Sequence, residues 1–305
     1  MCFMAPDIPM QPRRFNTLSG DVRANMLEMD AVRKIIRRAL EEDIRSGDLT
    51  TSAALTGSET GLATALAKED LVVAGMDVFR EVFRVRDAGL IFETGLIDGA
   101  WAPRGTILAT VSGSLASILT AERVALNLFQ RMCGIATLTK QFVGAVAGTK
   151  AKILDTRKTM PGMRILDKYS VRAGGGSNHR YGLYDGVLIK DNHIEAAGGI
   201  AEAVRRVRGQ APLMVKIEVE VKGMAEVEDA LAAGADIIML DNMPINTMKK
   251  AVAVIGGRVL VEASGNVTLA TVKEIAGTGV DLISAGTLTH STRAADISLK
   301  VKRRP

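Results

Sequence analysis

From Lys152 onward the chain repeats one pattern: an apolar run ends in a polar residue, a segment of helical periodicity follows, and glycine closes it. The runs are "KILDT" ending at Asp155, "GVLIKDN" at Lys190, "KIEVEV" at Glu220, "DIIMLDN" at Asp241, "RVLVEASG" at Ser264 and "VDLISAG" at Ser284. Between them lie "IAEAVRRVR", "GMAEVEDALAAGA", "INTMKKAVAVIGG" and "TLATVKEIAGTG", the last three with glycine at or just past the end, as helix C-caps prefer. Alternating βα units predict a parallel sheet with right-handed crossovers. In a doubly wound open sheet, ligand residues gather at one switch point, whereas in a β/α barrel the C-terminal ends of all strands converge on one axis. A polar group at nearly every strand end favours the barrel. With six visible units instead of eight, the barrel is expected to be incomplete or open.

The first half reads differently. "DAVRKIIRRALEED" places Val32, Ile35, Ile36 and Leu40 on one helical face, with Asp30 positioned to cap the first turn. The short runs "GLATALA", "LVVAG", "GLIFE" and "TILATVSG", with a helical stretch at "MDVFREVFRV", predict a small α+β domain ending near Ser114. "LASILTAERVALNLFQRMCGIATLTKQFVGAVAG" then predicts either one long helix or two joined near Gly134, linking the halves. The opening 27 residues, with Pro6, Pro9 and Pro12 and little periodicity, read as a disordered extension.

Composition narrows the class. A 305-residue chain that is 47% hydrophobic can fill a substantial core. Cys2 and Cys133 are far apart and in no metal-like spacing, which argues against a disulfide framework or zinc site and for a reducing compartment. No apolar run approaches the roughly 20 residues that span a bilayer, and no signal-peptide core is visible, so a cytoplasmic protein is expected. The net charge of +5 admits nucleic acid, but aromatic residues make up only 4% and no reader motif occurs. A small, highly anionic substrate explains the excess equally well.

The candidate chemistry lies at the strand ends. Two of three histidines, His179 and His193, fall in a block that also holds Arg157, Lys158, Arg180 and Lys190. Arginine offers a fork matched to carboxylate or phosphate, and lysine a compact point charge. One such cation is ordinarily a surface ion pair worth about 0–1 kcal/mol; a whole group at strand ends asks for a ligand with several negative groups. Glu220 and Asp241, ending successive strands, suit Mg²⁺ or ribose hydroxyls, with salt bridges to Arg157 or Lys190 as the bland alternative. "ASGN" (Ser264, Gly265, Asn266) and "SAGTLTHS" (Ser284, Gly286, His290) are small-donor loops, each leading toward a helix start that favours phosphate. Gly174, Gly175 and Gly176 read as a tight loop, with close substrate approach as the functional alternative. Together these describe a phosphorylated sugar at the late strands and a carboxylate-bearing ligand at the early ones. No nucleophile–base pair is evident, so transfer by positioning and electrostatics is expected.

The segments "LEEDIRSGDLT", "AERVALN", "DTRKTMPG", "GGGSNHRYGLYDGVLIKDNHI", "EVEV", "MLDN", "ASGN" and "SAGTLTHS", in that order from about Leu27 to the C-terminus, resemble the quinolinate phosphoribosyltransferase family. The resemblance implies an N-terminal α/β sandwich (28–128 completed by 290–305) joined to an open α/β barrel (129–289), with the site at a homodimer interface. It implies a pentosyltransferase that converts quinolinate and 5-phosphoribosyl-1-pyrophosphate, with Mg²⁺, to nicotinate mononucleotide, pyrophosphate and CO₂ in NAD biosynthesis. By motif position, Arg123 (from the partner subunit), Thr156, Arg157, His179, Arg180 and Lys190 hold quinolinate. Lys158, Glu220, Asp241, Ser264, Gly265, Asn266, Ser284, Gly286 and His290 hold the donor. Glu220 and Asp241 serve the metal directly or through water, and Lys158, Lys190, Glu220 and Asp241 carry the catalytic roles. The rivals are a relative with another acceptor such as nicotinate, a Schiff-base barrel enzyme using Lys158 or Lys190, and a non-catalytic anion or nucleic-acid binder.

Overall fold

The computed structural model describes residues 27–304, so the expected extension lies, but for Leu27, outside the described residues. The chain builds an antiparallel sheet packed on helices, followed by a parallel β/α barrel that does not close.

Helix α1 (Met29–Ile44) buries Val32, Ile36 and Leu40, the stripe that the periodicity predicts. Its cap differs from expectation: Glu28 is the N-cap, without a side-chain cap bond, and Asp30 lies inside the first turn, paired with Arg33 at 2.8 Å. After the short α2 (Leu49–Ala54) come β1 (Thr60–Ala67), β2 (Leu71–Val72), α3 (Met76–Arg86), β3 (Ile91–Glu93), β4 (Trp101–Ala102) and β5 (Ile107–Ser114). The main sheet runs β12-β1-β5-β3, where β12 (Ile297–Arg303) is the C-terminal strand. It pairs antiparallel with β1 from Gly61↔Arg303 to Ala67↔Ile297, which brings the C-terminal strand back into the sheet of the first module. Phe79 of α3 stacks on Phe129 with centroids 4.6 Å apart, and both rings are fully buried in this module's core.

Helix α4 is one unbroken 31-residue element, Leu115–Ala145, about 46 Å long. Gly134 does not break it. A Cβ there would lie 2.1 Å from the Arg293 carbonyl, so glycine lets the returning tail cross the helix. The first part of α4 packs into the sandwich core, and Ile135 and Phe142 pack into the barrel core.

The barrel strands are β6 (Lys152–Leu154), β7 (Val187–Ile189), β8 (Ile217–Val221), β9 (Ile237–Asp241), β10 (Leu260–Ser264) and β11 (Leu282–Ser284). Their order, β6-β11-β10-β9-β8-β7, follows the chain around, with all pairings parallel. That order is a barrel's and excludes the doubly wound sheet. The opening falls between β6 and β7. The glycine loop lies along it: Ser177 bridges Leu154 in parallel and donates its N–H to the Ile153 carbonyl at 2.8 Å. The outer helices are α5 (Arg164–Ala173), α6 (Asp191–Ala197), α7 (Ile200–Gln210), α8 (Met224–Ala232), α9 (Ile245–Ile255), α10 (Val272–Ala276) and α11 (Thr287–His290). Among the described residues, no helix is long and apolar enough to cross a membrane.

Candidate active site

A cavity of about 710 Å³ lies at the C-terminal ends of the barrel strands. Thr156, Arg157, Lys158, His179, Arg180, Lys190, Glu220, Asp241, Ser264, Gly265, Asn266, Ser284, Gly286 and His290 all line it. Arg123 does not; it is exposed on α4, outside the cavity of its own chain.

The loops that carry the cations are held by a buried network. Asp155 directly follows β6 and is fully buried beside Lys168 of α5, whose Nζ donates to Asp155 Oδ1 at 2.5 Å. The same carboxylate accepts the His179 N–H at 2.9 Å and the Asn178 Nδ2–H at 2.5 Å. Lys168 also donates to the His179 carbonyl at 2.9 Å. Burial pushes Asp155 up and Lys168 down, and each charge counters that shift in the other. Arg164 ties two loops together, donating to Thr159 Oγ1 at 2.9 Å and to the Tyr181 carbonyl at 3.1 Å. Arg131 clamps the buried Asp167 through two 2.8 Å bonds and reaches the Thr289 carbonyl at 3.0 Å, joining α4, α5 and α11. Lys158 is shaped from both sides: its N–H donates to Thr156 Oγ1 at 3.0 Å, and its carbonyl accepts Thr289 Oγ1–H at 2.8 Å.

Among the described residues, Arg157, Lys158 and Arg180 have no carboxylate at ion-pair distance. Burial and the Arg157 charge push the Arg180 guanidinium down, more than the Glu218 and Asp185 charges hold it up, so two cations face the cavity with no carboxylate paired to either among the described residues. An anion relieves both. The bland reading holds for one pair: Lys190 Nζ donates to Glu220 Oε2 at 2.6 Å. Asp241 instead accepts Asn242 Nδ2–H at 3.0 Å, and Asn266 Nδ2–H donates to Asn242 Oδ1 at 2.9 Å.

The late loops are backbone-controlled. Gly265 has φ +91°, and a Cβ there would meet Asn242 Oδ1 at 2.3 Å. Asn242 (φ 53°) and Asn266 (φ 50°) both adopt the left-handed conformation, which asparagine tolerates better than most residues. At Gly286 a Cβ would meet Lys158 Cδ at 2.9 Å, so this glycine admits the lysine stem. Gly286 does open a helix, α11, but the "ASGN" loop does not: α10 starts only at Val272. The glycine triplet makes the tight loop and packs it against α4. Cβ atoms at Gly174 and Gly176 would collide with Ala136 and Thr139 of α4, and neither glycine lines the cavity.

Residue-type reasoning passed over Leu188, Met239, Asn242, Val267, Thr268 and Thr287 in the cavity wall. It also passed over Glu218 and Glu262, buried at 4% and 1% exposure directly behind His179. His179 Nε2 lies 2.9 Å from Glu218 Oε2 and 3.9 Å from Glu262 Oε2. The signal was strand alternation, since Glu218 and Glu262 sit two residues before Glu220 and Ser264 on the same strand faces. His193, the other histidine of the block, accepts the Lys190 N–H through Nδ1 at 3.0 Å and lies outside this cavity.

Fold and cavity together define an α/β-barrel protein with a cation-lined cavity at the strand C-terminal ends. Models of the quinolinate phosphoribosyl transferase N-terminal and C-terminal domains match residues 48–133 and 135–300. The chain belongs to the quinolinate phosphoribosyltransferase family. It is 44% identical over 270 residues to a probable nicotinate-nucleotide pyrophosphorylase (carboxylating) of Bacillus subtilis, covering 88% of this chain and 93% of that one. Identity to the nicotinate-nucleotide pyrophosphorylase (carboxylating) of Mycobacterium leprae is 45% over 280 residues, covering 89% and 98%. A solved structure of NadC from Streptococcus pyogenes superposes with a TM-score of 0.88 at 40% identity, covering 92% and 99%.

Proposed function

We propose that this chain is a quinolinate phosphoribosyltransferase of NAD biosynthesis, which joins quinolinate to the ribosyl group of 5-phosphoribosyl-1-pyrophosphate and releases pyrophosphate and CO₂. The observation that carries the reading is the cluster of Arg157, Lys158 and Arg180 in one cavity with no carboxylate partner among the described residues.

In this reading the early strand ends take the diacid. Thr156, Arg157, Arg180 and Lys190 receive its carboxylates, and Arg123 of a second copy completes the set in a homodimer. The late loops take the donor: Ser264, Gly265, Asn266, Ser284, Gly286 and His290 surround the 5-phosphate region, and Lys158 the pyrophosphate. Glu220 and Asp241 end adjacent strands and present hard carboxylate oxygens to the same cavity, a donor set that fits Mg²⁺ beside ribose hydroxyls. A bound Mg²⁺ supplies positive charge beside the departing pyrophosphate.

The chemistry needs positioning more than a protein nucleophile. The bond from ribose C1 to pyrophosphate breaks with its electron pair leaving on oxygen, and the pyridine nitrogen pair forms the new bond to C1. The ring nitrogen is then cationic. Loss of CO₂ from C2 leaves the electron pair beside that cation, where it is stabilised until C2 takes a proton from solvent. Lys158 offsets charge on the leaving pyrophosphate, and Arg157 and Arg180 orient the acceptor.

The test supplies purified protein with Mg²⁺ and the donor, offering quinolinate and nicotinate separately. Equimolar CO₂ and mononucleotide from quinolinate alone supports the reading. Turnover of nicotinate without CO₂ replaces the acceptor while leaving the donor loops in place.

A further inference from the structure

Both ring nitrogens of His179 are already engaged within the chain. Nδ1 accepts the Arg180 backbone N–H at 2.7 Å, and Nε2 faces Glu218 Oε2 at 2.9 Å. A nitrogen that accepts an N–H holds a lone pair there, so the proton of this ring sits on Nε2 and points at Glu218. The His179 backbone is equally restrained, its N–H by Asp155 and its carbonyl by Lys168. Arg180 therefore departs from a residue fixed at four points, and its guanidinium adds, among the described residues, one hydrogen bond of its own, to the Gly186 carbonyl at 3.0 Å.

The layer behind the ring is acidic. Glu218 and Glu262 line a second cavity of about 750 Å³, and His179 and Arg180 line both that cavity and the strand-end one. Burial opposes a charged His179, while Glu218 and Glu262 favour it enough to raise its pKa. Glu262, however, is pushed up to about 8 by burial and the Glu218 charge, so its share of that support is weakened at neutral pH and the Glu218 share remains. A proton on Nδ1 would also face the Arg180 amide hydrogen across 2.7 Å.

We infer that Glu218 is a positioning residue for the acceptor site: it receives the His179 Nε2–H and locks a neutral ring whose Nδ1 orients Arg180, so that His179 itself is not a cationic ligand. The kinetic part rests on the proposed function; the state of the ring does not. Glu218 acts by accepting a hydrogen bond, and a glutamine carbonyl does the same. The glutamine NH₂ can in addition serve Glu262 Oε1, which, like Glu218 Oε1, is buried without a partner among the described residues.

The first test is the imidazole ¹⁵N spectrum of the full-length protein. With only three histidines, the His179 signals are assigned by their loss in His179→Asn. A hydrogen-free Nδ1 and a protonated Nε2 at pH 7 are expected; two protonated nitrogens overturn the inference. The second test compares Glu218→Gln with Glu218→Leu. The leucine variant is expected to lose about tenfold or more in quinolinate kcat/KM, mainly through KM, with the donor KM little changed. The glutamine variant is expected to restore most of the loss. A glutamine variant as impaired as the leucine one shows that the charge matters and overturns the inference. Should wild-type protein fail to turn over quinolinate, the proposed function falls while the spectrum still decides the ring.

Discussion

Lys168 Nζ and Asp155 Oδ1 lie 2.5 Å apart, and neither side chain has any exposed surface. A helix and the first barrel strand are thus pinned to each other and, through Asn178 and His179, to the loop carrying Arg180. Removing one partner of such a pair leaves an uncompensated buried charge. Lys168→Met is expected to destabilise the protein by about 3–5 kcal/mol in urea unfolding. A double Lys168→Met/Asp155→Asn variant is expected to recover part of that loss.

Arg157 stands in the cavity without a carboxylate partner among the described residues, so its loss should be felt by substrate more than by the fold. Arg157→Ala is expected to lower quinolinate kcat/KM by about 10- to 100-fold, as loss of a charge-assisted hydrogen bond implies. The donor KM should move far less, and the unfolding free energy should stay within about 0.5 kcal/mol of wild type. Steady-state kinetics with each substrate varied in turn checks the split.

Gly265 combines φ +91° with no room for a Cβ against Asn242. Gly265→Ala is expected to displace the Asn266–Asn242–Asp241 chain, costing about 1–3 kcal/mol of stability and raising the donor KM more than the quinolinate KM. Binding of the donor alone, followed by calorimetry, separates this effect from slower chemistry.

Glu262 gives a pH signature with a definite sign. Its carboxyl is raised from 4.5 to about 8 in the folded protein by burial beside Glu218. Above pH 4.5 the unfolded chain releases this proton while the folded one keeps it, so the group lowers stability progressively until about pH 8 and by a constant amount beyond. Glu262→Gln is expected to flatten the fall in unfolding free energy between pH 5 and 8. An unchanged slope in urea titrations would show that Glu262 is not the group responsible.

Arg123 offers a test of assembly, because it is exposed on α4 and absent from the cavity of its own chain. Arg123→Ala and Arg157→Ala proteins, each impaired alone, are expected to regain activity when unfolded together and reassembled, since a mixed dimer restores one intact site. Activity that stays at the level of the separate variants would place Arg123 outside the site.

The strand ends were legible because the sheet imposes its own punctuation: an apolar run must stop where side chains meet water, and in a barrel those stops converge. Lys190, Glu220, Asp241, Ser264 and Ser284 follow from that rule, and the cavity they line follows with them, whereas Asp155 closes its run buried against Lys168 and outside the cavity. Glu218 and Glu262 were present in the same runs at alternate positions. They passed as strand interior because alternation shows that residues share a face, not that the face turns into a half-open barrel where acids meet a histidine. Sequence therefore determined the order of elements, the parallel barrel and most of the cavity lining, all of which depend on local periodicity. Only tertiary structure decided that Lys168 is buried, that Gly134 and the glycine triplet serve packing against the tail and α4, and that both His179 nitrogens are occupied. Each of these depends on contacts between segments whose approach no local pattern encodes.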